Sequence, residues 1–337
     1  MPSRSAERNS ILLIRLSAMG DIIHTLPAAI SLKRSFPDRR LVWLIASRWL
    51  PLLEGNPFID EIIAFDRAHL GVLRDSWRRL RQIQAEWAFD FQGLLQSALI
   101  GRLSRSKAVF GFDKTVAREP LASIFYTHRV PVQGPHRVER NVQLAEAAGA
   151  RELTYEVWIP PGRPEGNLPS GPFVLTSPFA GWAGKEWPLE FYERLAQRLL
   201  SEGLELVASV PENRAKELAQ LKHVHVYTST LRGLIDATRR ASAVVGLDSG
   251  PLHLAAALHK PGVALFGPTD PQRTGPFGGS IAIVRANDVE TTYKRHRRIH
   301  SSMKLITVEQ VADALPRSLA KAPAATATHD QIAVPHT

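Results

Sequence analysis

The sequence predicts an α/β protein built from two doubly wound domains. Three observations predict it: a length of 337 residues, an alternation of short apolar runs with amphipathic stretches, and a Pro/Gly-rich break near the middle. A chain of this length exceeds one ordinary core and fits two domains of roughly 150 residues each. Short apolar runs separated by helical patterns mark parallel strands covered by helices. The break, residues 160–169, has the sequence Pro-Pro-Gly-Arg-Pro-Glu-Gly-Asn-Leu-Pro and cannot hold regular structure.

In the first half, strands are expected at Ile11–Leu16, Leu41–Ala46, Glu61–Phe65, Ala88–Phe91 and Ala108–Phe110, with helices at Ile22–Ser35, Leu73–Gln84 and Leu94–Leu103. The second half repeats the scheme. Strands fit Phe173–Thr176, Glu205–Ser209, Val224–Tyr227, Ala243–Gly246 and Gly262–Phe266; helices fit Leu189–Ser201, Glu212–Leu221, Leu231–Arg239, Pro251–Leu258 and Thr307–Leu319. The expected domains are residues 1–160 and 161–319, followed by an Ala/Thr/His-rich tail, 320–337, of disordered composition. Two such sheets joined by a hinge leave a ligand cleft at the carboxyl ends of their strands. That architecture also suits a periplasmic binding protein or an epimerase, so fold alone does not decide function.

Composition narrows the classes. Hydrophobic residues make up 44% and charged residues 22%, the balance of a globular protein. No stretch approaches the ~20 apolar residues that span a bilayer. The first apolar run is only a strand's length and contains Arg15, and the basic leader before it lacks the apolar core and cleavage site of a secretory signal. The absence of cysteine excludes disulfides, thiolate metal sites and a cysteine nucleophile, and suits a reducing cytoplasm. A net charge of +10 suits nucleic acid, anionic headgroups or phosphorylated substrates, and charge by itself does not choose among these or a merely basic surface.

Three turns carry candidate chemistry. Ser17-Ala18-Met19-Gly20-Asp21 follows the first strand and opens the first helix. Gly20 permits a tight turn there. Asp21 reads most simply as a helix cap, with a general base as the chemical alternative. His24, on the same helix, reads as a core or surface residue. The motif is not GxGxxG, so a dinucleotide fingerprint is absent. Val244 to Ala255 runs from a strand through Asp248-Ser249-Gly250 into a helix holding Pro251 and His253. Its exposed N–H groups and helix dipole suit a diphosphate, although Asp248 also reads as a cap. Phe266-Gly267-Pro268-Thr269-Asp270-Pro271 makes a second turn beside it. The third candidate, Ser177 to Pro188, places Lys185 at the end of the second domain's first strand, where a lysine neutralises phosphate or is simply solvated. No Asp-x-Asp pair or HExxH motif offers a metal site.

Together these segments resemble the bacterial lipopolysaccharide heptosyltransferases, ADP-heptose-dependent glycosyltransferases of family 9 with the two-domain GT-B fold. The resemblance runs from Ile11 to Leu315. It rests on Ser-Ala-Met-Gly-Asp-Ile-Ile-His-Thr-Leu-Pro-Ala (17–28), Asp90-Phe-Gln-Gly-Leu, Lys185-Glu-Trp-Pro and Asp248-Ser-Gly-Pro-Leu-His-Leu. Ala117 to Tyr126 and His136-Arg-Val-Glu-Arg-Asn141 are most similar to the type I branch, which adds the first heptose to the Kdo region of lipid A.

The resemblance implies an inverting, metal-independent transfer without a cofactor, with Asp21 as the general base. It implies donor contacts from Lys185, Asp248, Ser249, Gly250 and His253, and from Glu212 after Pro211, where Ala208-Ser209-Val210 lacks the family's usual glycine. Lipid A with Kdo is dense in phosphate and carboxylate, which accounts for the charge. Gly20, His24, Arg67, Arg78, Arg81, Gln92 and Arg118 are the expected acceptor contacts. Arg78 and Arg81, three apart, share a helix face whose simpler reading is solvation. The segment Arg295-His296-Arg297-Arg298 meets headgroups or solvent. The expected place is the cytoplasm, peripheral at the inner face of the inner membrane. His300-Ser301-Ser302 stands where relatives of the type II branch carry cysteine, which favours type I or marks a branch with another sugar or acceptor. A non-catalytic nucleotide or nucleic-acid binder is the remaining alternative. It predicts basic residues interleaved with stacking aromatics, and residues 74–81 offer only Trp77. Nucleic acid is therefore not an expected partner.

Overall fold

The computed structural model describes residues 9–83, 85–287, 289–295 and 297–315. The predicted tail, 320–337, the end of the predicted last helix and His296 lie outside them. The chain forms two compact units. The first holds the described residues up to Gly162 together with Ser249–Ala257 and Asp270–Gly278, and the second holds Arg163–Asp248, Leu258–Thr269 and the described residues from Gly279 on.

Before Gly162 the order is β1 (Ser10–Ile14), α1 (Met19–Ile23), α2 (Leu26–Ser35), β2 (Arg40–Ala46), β3 (Glu61–Phe65), α3 (Leu70–Ile83), β4 (Trp87–Asp90), α4 (Leu95–Leu103), β5 (Ala108–Phe112), β6 (His128–Val130) and α5 (Arg137–Glu146). Then follow β7 (Phe173–Thr176), α6 (Leu189–Ser201), β8 (Glu205–Val210), β9 (Val224–Thr228), α7 (Leu231–Arg240), β10 (Ala243–Leu247) and α8 (Gly250–Ala257). The last elements are β11 (Gly262–Phe266), α9 (Pro271–Thr274), β12 (Ile281–Arg285), α10 (Ser301–Lys304) and α11 (Val308–Ala314).

The first sheet runs β3-β2-β1-β4-β5-β6 and the second β12-β11-β10-β7-β8-β9, with every pairing parallel. Counted from its own first strand, each sheet has the order 3-2-1-4-5-6, the doubly wound arrangement. Burial explains the sequence pattern. Helices cover both faces of a parallel sheet, so β1 is an unbroken apolar run buried at every position. In the second unit, Trp187, Tyr192 and Leu195 pack over Val174, Leu206 and Val245.

Several elements differ from the sequence reading. The single helix expected over Ile22–Ser35 is two, because Pro27 stands in the first turn of α2, where it has no N–H to offer and starts a helix. The helix expected at Glu212–Leu221 is a 3₁₀ segment, Glu212–Leu218. Strands β6 and β12 both lie at sheet edges and were not expected: in β6 His128 and Arg129 face solvent and show no apolar run, whereas the apolar run Ile281–Val284 of β12 was overlooked. Thr307 is the N-cap of α11, accepting from Gln310 N at 3.2 Å while Gln310 Oε1 accepts from Thr307 N at 2.9 Å.

Gly20 lies inside α1 rather than at the turn expected for it. Its lack of a side chain admits α8: a Cβ there would collide with the His253 ring, and a Cβ on Gly250 would stand 2.7 Å from Met19 Cβ. The two glycines therefore permit one close approach of α1 and α8. Gly20→Ala is expected to cost about 1–3 kcal/mol in chemical denaturation, as overpacking does. His253→Ala should recover part of that loss, and two additive effects would show that the contact does not set the cost.

Candidate active site

The carboxyl ends of β1 and β4 meet at the point where the first sheet reverses its strand order. Asp90, at the end of β4, is fully buried. It accepts from Gln92 N at 2.8 Å, Gly93 N at 3.1 Å, Ser97 Oγ at 2.8 Å and Tyr126 Oη at 2.7 Å. Burial pushes its carboxyl above the ordinary value against those four donors, and burial beside Asp90 raises the Tyr126 hydroxyl as well. This network fixes the loop after β4. Gln92 then reaches across, its Oε1 accepting from Leu16 N at 3.1 Å and Ser17 N at 3.3 Å, so the turn after β1 is held too.

On that turn stands Asp21. Arg15, buried at the end of β1, donates to Phe91 O and pairs with Asp21 at 2.6 Å. Arg137, in the first turn of α5, holds the other carboxylate oxygen, and Arg118 lies 4.0 Å away. Asn141, one turn beyond Arg137, donates to His24 O at 2.9 Å and Thr25 Oγ1 at 3.2 Å, which locks α5 to the end of α1. Burial opposes the charge on Asp21, but Arg15 and Arg137 outweigh it and hold the carboxyl well below its usual range. A chamber of about 60 Å³ opens beside it, lined by Arg15, Arg118, Arg137, Arg140 and Arg273. Five guanidiniums against one carboxylate give its walls a net charge of +4. A second cavity, of about 420 Å³, adjoins Gln92 and is lined by Ser17, Ser47, Arg48, Asp66 and Arg67 among others.

The second sheet has a matching place at the ends of β7 and β10. Lys185, in a 3₁₀ turn after β7, donates to the backbone oxygen of Asp248 and to its carboxylate at 3.2 Å, with its ammonium 5.7 Å from the Trp182 ring centre. Ser249 follows, and its buried Oγ has no hydrogen-bond partner among the described residues. Glu212 is exposed where the chain leaves β8. Arg214, two residues on, lies over Phe179 at 3.4 Å and pairs with Glu186 and Glu217.

The expected residues thus fall into separate places. Asp21, Gln92 and Arg118 line the chamber, and Arg67 the larger cavity. Lys185 meets Asp248, with Ser249 next in the chain. Gly20 and Gly250 are packing positions. His24 and His253 are buried rather than on a cavity wall, their rings 4.4 Å apart, with His136 at 5.3 Å from His24. Arg78 projects from α3 onto Asp75 at 2.9 Å, and Arg81 is exposed beside it, so this is the solvated face of a helix. Arg137, Arg140, Arg273 and Arg48 were missed. The signal for Arg15 was an arginine inside a buried apolar strand, which has to be paired. Arg137 and Asn141 are four apart in a segment already singled out.

Known proteins resemble this chain in sequence and fold. The model of glycosyltransferase family 9 (heptosyltransferase) matches residues 73–304. The chain belongs to glycosyltransferase family 9. It is a glycosyltransferase. Lipopolysaccharide heptosyltransferase 1 of Pseudomonas aeruginosa is 33% identical over 296 residues, covering 80% of this chain and 82% of that protein. Its counterpart in Escherichia coli K12 is 30% identical over 299 residues, covering 82% and 93%. Among solved structures, E. coli heptosyltransferase WaaC with ADP aligns at a TM-score of 0.71 and 24% identity over 90% of this chain and 98% of that one. E. coli ADP-heptose LPS heptosyltransferase II aligns at 0.76 and 23%, over 93% and 98%. The fold is GT-B. Among the described residues no helix is long and apolar enough to cross a membrane.

Burial, with His253 and His136 nearby, holds His24 well below the ordinary imidazole value of 6.5, and burial lowers His136 as well. The unfolded chain therefore binds protons that the folded chain refuses, and stability falls as pH drops below about 6.5. Thermal unfolding between pH 8 and pH 5 should show that loss, and His24→Gln should flatten it. A slope unchanged by the substitution would remove His24 from the transition.

Proposed function

We propose that this transferase moves heptose from ADP-heptose onto the Kdo region of lipid A, with inversion at the anomeric carbon. The observation that carries the reading is Asp21, a carboxylate at the first sheet's reversal point beside a chamber walled by arginines. Guanidiniums pair with carboxylate and phosphate in a bidentate way, so the chamber suits an acceptor rich in both. The names of the type 1 relatives support heptose transfer in lipopolysaccharide synthesis, and the solved relative holding ADP supports an ADP-linked donor.

In this reading the first unit receives the acceptor, with Arg118, Arg137 and Gln92 at the chamber and Arg48 and Arg67 at the larger cavity. Asp21 takes the proton of the attacking hydroxyl as its oxygen bonds to the anomeric carbon and the bond to ADP breaks on the opposite side. Lys185 and the N–H groups after Asp248 carry the negative charge that develops on the departing diphosphate, and the Ser249 hydroxyl supplies a further donor. The protein then works in the cytoplasm at the inner face of the inner membrane, where such an acceptor is presented.

The depressed basicity of Asp21 is part of the proposal. Arg15 and Arg137 keep it ionised, and the same charges make it a weak proton acceptor. An acceptor anion that claims Arg137 takes that charge off Asp21 and raises its basicity when the hydroxyl arrives.

Transfer from ADP-heptose to purified Kdo-lipid A in EDTA, by wild type and by Asp21→Asn, tests the whole reading. Turnover of the variant should fall by roughly 10²–10⁴-fold, while calorimetry still shows ADP binding. Transfer by neither protein would sink the heptose assignment. In Arg137→Gln the acid limb of kcat/KM should move to higher pH, since a cation that depresses Asp21 is gone. An unmoved limb would leave Arg137 without influence on the base.

A further inference from the structure

Helix α4 buries one face and leaves the other apolar and wet. Ala98, Ile100 and Gly101 are buried, and a Cβ on Gly101 would stand 3.1 Å from Val109 and 3.3 Å from Ile14, so the helix sits tightly on the sheet. On its outer side Leu95, Leu99 and Leu103 follow at intervals of four and are 38%, 43% and 48% exposed. The 3₁₀ turn Pro120–Phe125 packs against α4 and adds Leu121 and Ile124, 63% and 62% exposed. Five large aliphatic side chains on two adjoining elements form a patch, which isolated surface leucines do not.

The charges carried by this stretch of chain are mostly positive. Between residues 94 and 130 stand Arg102, Arg105, Lys107, Lys114, Arg118 and Arg129, all exposed, against Asp113 and Glu119. Both acids are engaged locally: Glu119 accepts from Leu95 N at 2.6 Å, and Asp113 from Thr115 N at 2.8 Å. Of the bases, Lys107 lies 3.7 Å from Glu86, and Arg129 donates to Ser123 O at 2.9 Å. A second copy of the chain would bring this positive rim against itself. A bilayer of anionic lipid offers apolar depth under negative headgroups and complements both features.

We propose that α4 and the Pro120–Phe125 turn are the face by which the protein docks on an anionic membrane. The leucines and Ile124 enter the headgroup boundary and the arginines and lysines meet lipid phosphates. The face adjoins the site: Leu94, Gln96 and Ser97 line the larger cavity and Arg118 lines the chamber. A lipid-borne acceptor thus stays in the bilayer while its charged sugars reach Asp21. That purpose rests on the function proposed above; the docking does not.

The test is co-sedimentation of the full chain with vesicles of phosphatidylglycerol and phosphatidylethanolamine, and separately of phosphatidylcholine alone, without substrate. Wild type should bind the anionic vesicles and release them in high salt. Leu99→Ser with Leu103→Ser and Ile124→Ser should bind at least about ten-fold less, and Arg102→Gln roughly five-fold less per charge removed. Because these side chains face water, the melting temperature should hold, and transfer to a deacylated acceptor should be unchanged. Equal vesicle binding by wild type and the serine variant would overturn the proposal, as would absence of binding by wild type. A variant that changed the sedimentation mass and not vesicle binding would show a self-association face instead, and overturn it too.

Discussion

The charge on Asp21 is the constraint around which the first unit is arranged. A carboxylate withdrawn from water is costly unless it is paired, and removing one partner of such a pair typically costs about 3–5 kcal/mol. Arg15 arrives from the end of β1 and Arg137 from the first turn of α5, so one ion triad ties the turn after β1 to a helix late in the unit. Each arginine needs its own support. Arg15 donates to Phe91 O, whose loop is set by Asp90, and Arg137 is held by a helix that Asn141 fastens to α1. The polar groups near Asp21 are therefore positioned by hydrogen bonds that lead back to buried strand ends.

Two kinds of carboxylate chemistry stand side by side at this reversal point. Asp90 is surrounded by neutral donors and burial dominates, so its carboxyl rises above the ordinary value. Asp21 is surrounded by guanidiniums and falls below it. The first therefore behaves as structure and the second as permanent charge, on a chamber wall whose net positive charge repels cations and collects anions.

The strands and their order of appearance were legible because parallel sheets demand apolar runs, and β3, β7 and β11 begin and end where the pattern places them. The turns at Asp21, Lys185 and Asp248 were legible because Gly, Pro, Asp and Ser cluster there. The edge strand β6 was not, since His128 and Arg129 face water and carry no core signal. Nor was the arginine chamber. Arg15, Arg118, Arg137, Arg140 and Arg273 come from distant stretches, and convergence is a property of topology rather than of local pattern. The same limit applies to His24: a histidine on a short helix looks alike whether it faces a ligand or two other imidazoles.

The path of the chain has a consequence for exchanging parts between relatives. Helix α8 and residues 270–278 belong to the first compact unit although they are encoded after most of the second. A hybrid enzyme spliced once, at Gly162, would set one parent's Gly20 and His24 against the other parent's His253, and one parent's Asp21 among arginines that include a foreign Arg273. The natural unit of inheritance for the first compact unit is thus three stretches of sequence. Recombination that respects only the linker divides a structural module in two.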